Sequence, residues 1–312
     1  MDPLRVLAET QGFFTRPDVL AAGHDDRVIR RSVRARAWVR LRPGTFTFSD
    51  LWNADEQERH RILAQAVAEK LDRVVALSHT SAALAHGLRV WGADLSLVHV
   101  TRLDGGAGRT ESGVVHHEGF TLPADLRTVN GVLVTHPARA AIEAASLLPP
   151  DAGLGILDSA LQLALTDRAE MDATFRLHGS WPQMQGVQLL VRMADAGAQS
   201  VGESRTRYLC YAHHLPAPVL QFEVRDRSGR LLGITDFAWP GHRLLGEFDG
   251  QVKYGRYLRP GELPGDAVFR EKRREDAICE LLGWRMIRIV WADLSRPAET
   301  SARISRMLRL AA

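Results

Sequence analysis

Asp236, Glu247 and Asp249 fall within residues 231–253, LLGITDFAWPGHRLLGEFDGQVK, and Lys253 stands just beyond them. The apolar runs around these acids read as two adjacent strands. A carboxylate inside such a strand is costly to bury unless it is paired or bound to a cation. Glu247 and Asp249 are two residues apart on one strand and so project from the same face. Asp236 lies on the neighbouring strand, within cross-strand reach. Glu203, near the start of the helix in SVGESRTRYLCYAHHL, is placed to approach from a helix packed over that face. Carboxylates this close repel one another without a cation, and Mg2+ or Mn2+, hard ions that take oxygen ligands, are the natural choices. The expected chemistry is metal-dependent phosphodiester hydrolysis. Asp236 and Glu247 would ligate the ion, Asp249 would assist directly or through water, and Glu203 would complete the outer site. Lys253 would act on the water or the phosphate. Arg270, Lys272, Arg273 and Arg274 open the next helix as a basic surface for a DNA backbone.

A second concentration of charge lies near the N-terminus. From Arg27 to Arg42 there are seven arginines and no acid. Arg27, Arg30, Arg31 and Arg34 fall at helical spacing on one face, with Ile29 and Val33 on the other. In the following WVRLRPGTFTF, Val39 and Leu41 alternate with Arg40 and Arg42, and Pro43-Gly44 makes a turn. A basic helix followed by a basic hairpin fits a winged helix-turn-helix, with the helix in the major groove and the wing on phosphates. A solvated basic face is the bland alternative. It is weakened because so many arginines without an acid repel one another unless a polyanion neutralises them.

Two family resemblances follow from these stretches. GFFTRPDVLAAG, the arginine helix and RLRPGTFTF resemble the N-terminal domain of AbiEi-type antitoxins of abortive-infection systems. That resemblance implies a winged helix that binds the promoter of its own operon, and it brings a toxin or other defence partner into view. GESRTR, TDFAWP, GEFDGQVKY and REDAICELLGWRMIRI, spanning roughly residues 198–295, resemble the very-short-patch-repair-like branch of the PD-(D/E)XK nucleases. By that resemblance Asp236 is the first strand acid, Glu247 and Asp249 are the E-x-D pair, and Glu203 is the helix acid. The chain departs from the pattern in two places. Asp249 stands where the superfamily places a lysine, and Lys253 stands where many relatives of this branch carry a histidine.

The elements that must position these residues form three segments. Residues 1–50 read as short helices (3–11, 16–22 and one capped by Asp25 or Asp26) and a hairpin, a winged helix domain. Residues 55–178 alternate helix and strand, with helices at 56–71, 78–87 and 138–147 and strands at 95–101, 113–120 and 131–136. Their order, SHTSAALAHGL to THPARAAIEAA, is similar to the region that follows the winged helix in AbiEi-like proteins. His79, His86, His99, His116, His117 and His136 fall in this segment. With no cysteine among them and no HxxxH or HExxH spacing, they read as satisfied or solvated rather than metal ligands. GSWPQMQG at 179–186 is a connector. Residues 187–312 read as α-β-β-β-α-β, with helices 187–197, 201–214, 266–282 and 293–310 and strands 219–225, 231–239, 243–249 and 284–291. The fold class is α+β: a winged helix, a middle α/β segment and a PD-(D/E)XK-like mixed sheet flanked by helices.

Composition sets outer limits. Across 312 residues, 45% hydrophobic and 25% charged content is an ordinary globular mixture that supports a packed core. A formal charge of +3 conceals its uneven distribution. Cys210 and Cys279 make neither a disulfide framework nor a zinc knuckle and read as buried thiols. MDPLRVLAETQG does not read as a signal peptide, and no run approaches the ~18 apolar residues of a membrane span. A cytoplasmic DNA-binding protein with a metal-dependent endonuclease domain, serving phage or mobile-DNA defence, is the leading expectation. A non-catalytic antitoxin-like repressor and an adaptor for a toxin or methylase are the competing ones. Cutting both strands with one site per chain would call for a homodimer.

Overall fold

The computed structural model describes residues 2–53, 55–181, 183–250 and 264–311. The chain divides into two compact units, Met1–Ala144 and Ala145–Ala312, and is α+β throughout.

The first unit opens with α1 (Pro3–Gln11), whose first turn is satisfied by Asp2 accepting from the Leu4 amide at 3.0 Å. After β1 (Phe14–Thr15), a capping box between Thr15 and Asp18 starts α2 (Arg16–Ala21). Asp25 then caps α3 (Asp26–Arg34), accepting from the amides of Arg27 and Val28 at 2.9 and 3.0 Å. A hairpin follows, β2 (Trp38–Arg42) and β3 (Thr45–Phe48), turning at Gly44 with φ 81°. The three strands pair antiparallel in the order β1-β3-β2. Leu4, Phe14, Val19, Ile29, Trp38 and Phe46 close one small core, with the Phe14 and Trp38 rings edge to face at 4.8 Å.

The same unit continues with α4 (Glu56–Leu71), β4 (Val75–Leu77), α5 (His79–Ala85), β5 (Val98–Arg102), β6 (Arg109–Glu111), β7 (Val114–His117), β8 (Leu126–Val129), β9 (Val132–Thr135) and α6 (Pro137–Ser146). The strands make a mixed sheet ordered β6-β7-β5-β4-β9-β8. Val75, Leu77, Val98, Val100, Val114 and Val134 pack with Ala64, Val67 and Ala68 of α4. Strands β4, β6 and β8 go beyond the sequence reading. Each is only three or four residues long, β4 is buried and β6 exposed throughout, so none carries an apolar alternation to read.

The second unit contains α7 (Pro150–Gln162), α8 (Arg168–His178), α9 (Val187–Met193), α10 (Val201–Ala212), β10 (Val219–Arg225), β11 (Leu231–Trp239), β12 (Leu244–Asp249), α11 (Pro264–Leu282), β13 (Arg285–Val290), α12 (Trp291–Leu294) and α13 (Pro297–Ala311). Its sheet runs β10-β11-β12-β13, antiparallel except for the parallel β12–β13 pair that α11 connects. Residues 150–178, read from sequence as the end of the middle segment, pack here. Helix α7 lies along α10, and Asp151–Arg205 and Asp158–Arg207 pair across them at 2.7 Å. Those partners are about 50 positions apart in sequence, so no local pattern reveals them.

Two helices are shorter than their periodicity suggests. Helix α9 stops at Met193 because the Arg168 guanidinium donates to the carbonyls of Val191, Arg192 and Ala194 at 2.6–3.1 Å, satisfying its C-terminal end. The expected 293–310 helix is divided into α12 and α13, and Pro297 starts the second piece. Among the described residues no helix is long and apolar enough to cross a membrane.

Candidate functional site

The acids of the C-terminal sheet gather around Phe248. On one side of the sheet Phe237, Trp239, Leu244 and Phe248 pack with Leu209 and Cys210 of α10. On the other, Val224, Ala238 and Leu245 pack with Ile278 of α11. Glu247 follows the second side and is only 8% exposed. Its Oε1 accepts from Arg274 Nη2 at 3.1 Å, and its Oε2 lies 3.9 Å from Arg288, which also pairs with Glu275 at 2.6 Å. Asp249, two residues on in the same regular strand, shares that side.

Asp236 sits where regular alternation breaks. Leu220 pairs with Phe237 and Phe222 with Thr235, and Gln221 between them adopts a left-handed φ of 47°. Leu220 packs with the α10 side and Phe222 with the α11 side, so the pleat slips at this point. Asp236 Oδ2 there accepts from the Phe248 amide at 2.8 Å. Its carboxylate is thus brought to the backbone between Glu247 and Asp249.

Glu203 requires a correction. Its helix, α10, packs on the side of the sheet opposite Glu247 rather than over the same face. The Glu203 carboxylate accepts from the Gln199 amide at 2.8 Å, Ser200 Oγ at 2.7 Å and Gln221 Nε2 at 3.1 Å. Both oxygens are engaged, and two of the three donors belong to the start of its own helix. Neighbouring Gly202 lies directly on the ring of Phe248, the residue whose backbone amide donates to Asp236.

Among the described residues no group of three or more His, Cys, Asp and Glu side chains is placed to hold a metal ion. As placed, the carboxylates do not fit the expected magnesium or manganese. Glu247 is neutralised by arginine and Glu203 is taken up by donors around its helix start. Lys253 lies outside the described residues. Arg270 and Lys272 belong to α11, and their side chains lie outside the description. Arg273 is exposed, whereas Arg274, expected on phosphate, is turned to Glu247. The Arg274–Glu247–Arg288–Glu275 network escaped the sequence reading because α11 crosses β12 only in the folded unit.

The arginine helix is laid out as its spacing predicts. Arg27, Arg30, Arg31 and Arg34 are exposed, and Ile29 is buried in the core. Among the described residues none of these four is within ion-pair distance of a carboxylate. The acids at the start of the helix are used elsewhere, Asp25 as its cap and Asp26 on Arg16 at 2.8 Å. Arg36 is exposed in a left-handed turn (φ 55°) between α3 and β2. Arg40 is exposed with its guanidinium 5.8 Å from the Phe46 ring centre. Arg42 is half-buried, and desolvation lowers its pKa.

In the first unit His79, at the start of α5, meets His99 of β5 and His117 of β7. The His79 and His117 rings stack at 3.6 Å, and His99 Nδ1 is 2.9 Å from His117 Nε2. Burial, reinforced by the neighbouring imidazoles, pushes His99 down to about 4 and His117 to about 3, and moves His79 down as well. All three are therefore neutral near pH 7. Behind them Glu143 accepts from the His79 amide at 3.3 Å and from Arg139 Nε at 2.7 Å, and Arg139 also pairs with Asp125 at 3.1 Å. These contacts join the three imidazoles, Glu143, Arg139 and Asp125 into one buried network.

Fold and sites define an α+β protein with an arginine-faced helix and hairpin in one unit and a carboxylate–arginine cluster on a four-stranded sheet in the other. Two sequences match it at 31% identity over 255 residues, covering 79% of this chain and 90% of each relative. They are the uncharacterized protein MT2308 of Mycobacterium tuberculosis strain CDC 1551 / Oshkosh and the uncharacterized protein Rv2248 of strain ATCC 25618 / H37Rv. The chain belongs to the family of these two mycobacterial proteins. No family model matches it. The crystal structure of the RV2827C protein from Mycobacterium tuberculosis overlaps 71% of this chain and 87% of that one, at 18% identity and a TM-score of 0.39.

Proposed function

We propose that this protein binds DNA through α3 and the β2–β3 hairpin, as a winged helix-turn-helix. The observation that carries the proposal is the row Arg27, Arg30, Arg31 and Arg34, exposed and with no close ion pair among the described residues, Asp26 acting on Arg30 only at longer range. A row of unneutralised guanidiniums on one helix is stabilised by a polyanion, and releasing counterions from a duplex supplies the driving force. Arg36 and Arg40 extend the positive surface toward the hairpin. The test is fluorescence anisotropy on a duplex across a salt titration. Affinity should fall steeply with salt, and Arg30→Ala or Arg31→Ala should each reduce the log–log slope by about one if that arginine sits on a phosphate. Binding that ignores salt, or slopes unchanged in both variants, would refute it.

An antitoxin-like repressor needs only this interface, and the engagement of Glu247 by arginine favours that non-catalytic form. A second reading adds Mg2+- or Mn2+-dependent cleavage of DNA by the C-terminal unit, in the manner of very-short-patch-repair-like nucleases. It is favoured by Asp236 reaching the Phe248 amide between Glu247 and Asp249. Plasmid nicking across a metal titration separates the two. Cutting that disappears in Glu247→Gln with DNA binding retained supports cleavage, and wild type that never cuts leaves the repressor.

A further inference from the structure

We propose that Asp26 is the residue through which α3 chooses its DNA sequence, by accepting a hydrogen bond from the exocyclic amino group of a cytosine in the major groove. The inference deepens the DNA-binding reading and rests on it. Asp26 is the first residue of α3, and Arg30 stands one turn further on. The first turn of a helix lying in the major groove is the part that reaches base edges. An acid there has the wrong charge for a polyanion, yet this one is held by two hydrogen bonds. Its Oδ1 accepts from Arg16 Nε and its Oδ2 from Arg16 Nη2, both at 2.8 Å. Arg16 is itself anchored, its amide donating at 2.8 Å to the carbonyl of Gly44 in the hairpin turn. A strut thus runs from the hairpin through Arg16 to the start of α3.

The ion pair leaves Asp26 able to act. Its side chain is 46% exposed, and each oxygen, having taken one hydrogen bond from Arg16, retains a second lone pair. Arg16, and at longer range Arg30, hold the carboxyl below the usual carboxylate range, so near neutral pH it is an acceptor only. In the major groove guanine presents acceptors, and thymine an acceptor and a methyl group. Adenine sets its amino group beside the N7 acceptor, and cytosine presents an amino donor without one. A fixed carboxylate is therefore matched best by cytosine. On other sequences it lowers affinity, and the neighbouring arginines, which meet phosphates whatever the sequence, offset that loss. Selectivity comes from the acid and affinity from the arginines.

The experiment is selection by the full-length protein from a pool of duplexes of randomised sequence. Fluorescence anisotropy then follows on the selected duplexes and on single-base-pair changes of them. Wild type, Asp26→Ala and Asp26→Asn are compared. The pair with Arg16 is exposed, so both variants should fold, and circular dichroism checks that they do. Wild type should select a cytosine at one position, and replacing it should weaken binding about tenfold, within the range that a mismatched base pair costs. In Asp26→Ala that preference should vanish while affinity for the unselected pool rises. In Asp26→Asn the position should turn to adenine, which an amide matches with both its donor and its acceptor. A preference unchanged in both variants, or wild type that binds the pool with no preferred cytosine, overturns the role of Asp26 and leaves the DNA-binding reading standing. Affinity lost equally on every duplex, with the preference kept, marks the ion pair as structural and overturns that role as well. No binding of any duplex by wild type overturns both.

Discussion

Gly202→Ala offers a quantitative test of how the C-terminal unit is held together. Gly202 is the second residue of α10, where an alanine would ordinarily stabilise the helix by ~1 kcal/mol. Here a Cβ would stand 2.0 Å from Phe248 Cε1, 2.2 Å from Cζ and 2.4 Å from Cδ1, against ordinary contacts of 3.4–4 Å. Relief requires a movement of more than 1 Å. Phe248 has little room to give it, being 3% exposed and edge-on to Trp291 at 5.2 Å. Overpacking of this kind costs ~1–3 kcal/mol beyond any helix gain, so the thermal midpoint of the unit should fall by roughly 2–12 °C. Because the Phe248 amide anchors Asp236, the displacement also disturbs the acidic strand.

Gly155→Ala in α7 is the control. Its Cβ would meet Val201 Cγ1 at 3.7 Å and Ser204 Cβ at 3.8 Å, which are ordinary contacts, so that variant should be neutral or more stable by up to ~1 kcal/mol. Differential scanning calorimetry of both variants decides the matter. If Gly202→Ala is as stable as wild type, the packing of α10 on Phe248 described above is wrong.

Two further outcomes concern the first unit. Arg139→Met should destabilise it by ~3–5 kcal/mol in urea unfolding, because Glu143 and Asp125 lose the guanidinium that compensates their burial; a loss below ~1 kcal/mol would contradict that account. The histidine network should make the same unit acid-sensitive. His99 and His117 bind protons less readily folded than unfolded, so the unfolded chain takes up more protons once the pH drops below their ordinary value of ~6.5. Their contribution is fully present above that value and is lost as pH falls toward about 4 for His99 and about 3 for His117. His117→Gln should flatten the dependence of the urea midpoint between pH 7 and pH 4, and an unchanged profile would show that this imidazole does not govern it.

Much of the architecture is local enough to read from residue order. Asp25, Gly44 and Pro137 mark a cap, a turn and a helix start because each acts on the backbone within a few positions of itself. The arginine face of α3 follows from helical spacing, since a single buried residue, Ile29, orients the rest. The pairing of Glu247 and Asp249 on one side follows in the same way from the two-residue repeat of a regular strand.

Asp236 and Glu203 lie beyond that logic. Strand alternation presumes an unbroken pleat, and the left-handed Gln221 opposite Asp236 breaks it, which no pattern in VLQFEVR announces. The side of the sheet that α10 covers depends on Gly202 accepting the Phe248 ring, a contact across 46 positions. Counter-charges obey the same rule. Arg274 reads as one more basic residue at the start of a helix until α11 is laid across β12, where it becomes the partner of Glu247. Residue order settles caps, turns and faces because backbone conformation is decided by near neighbours. Which carboxylate meets which cation is decided by packing, because electrostatic partners are chosen in space.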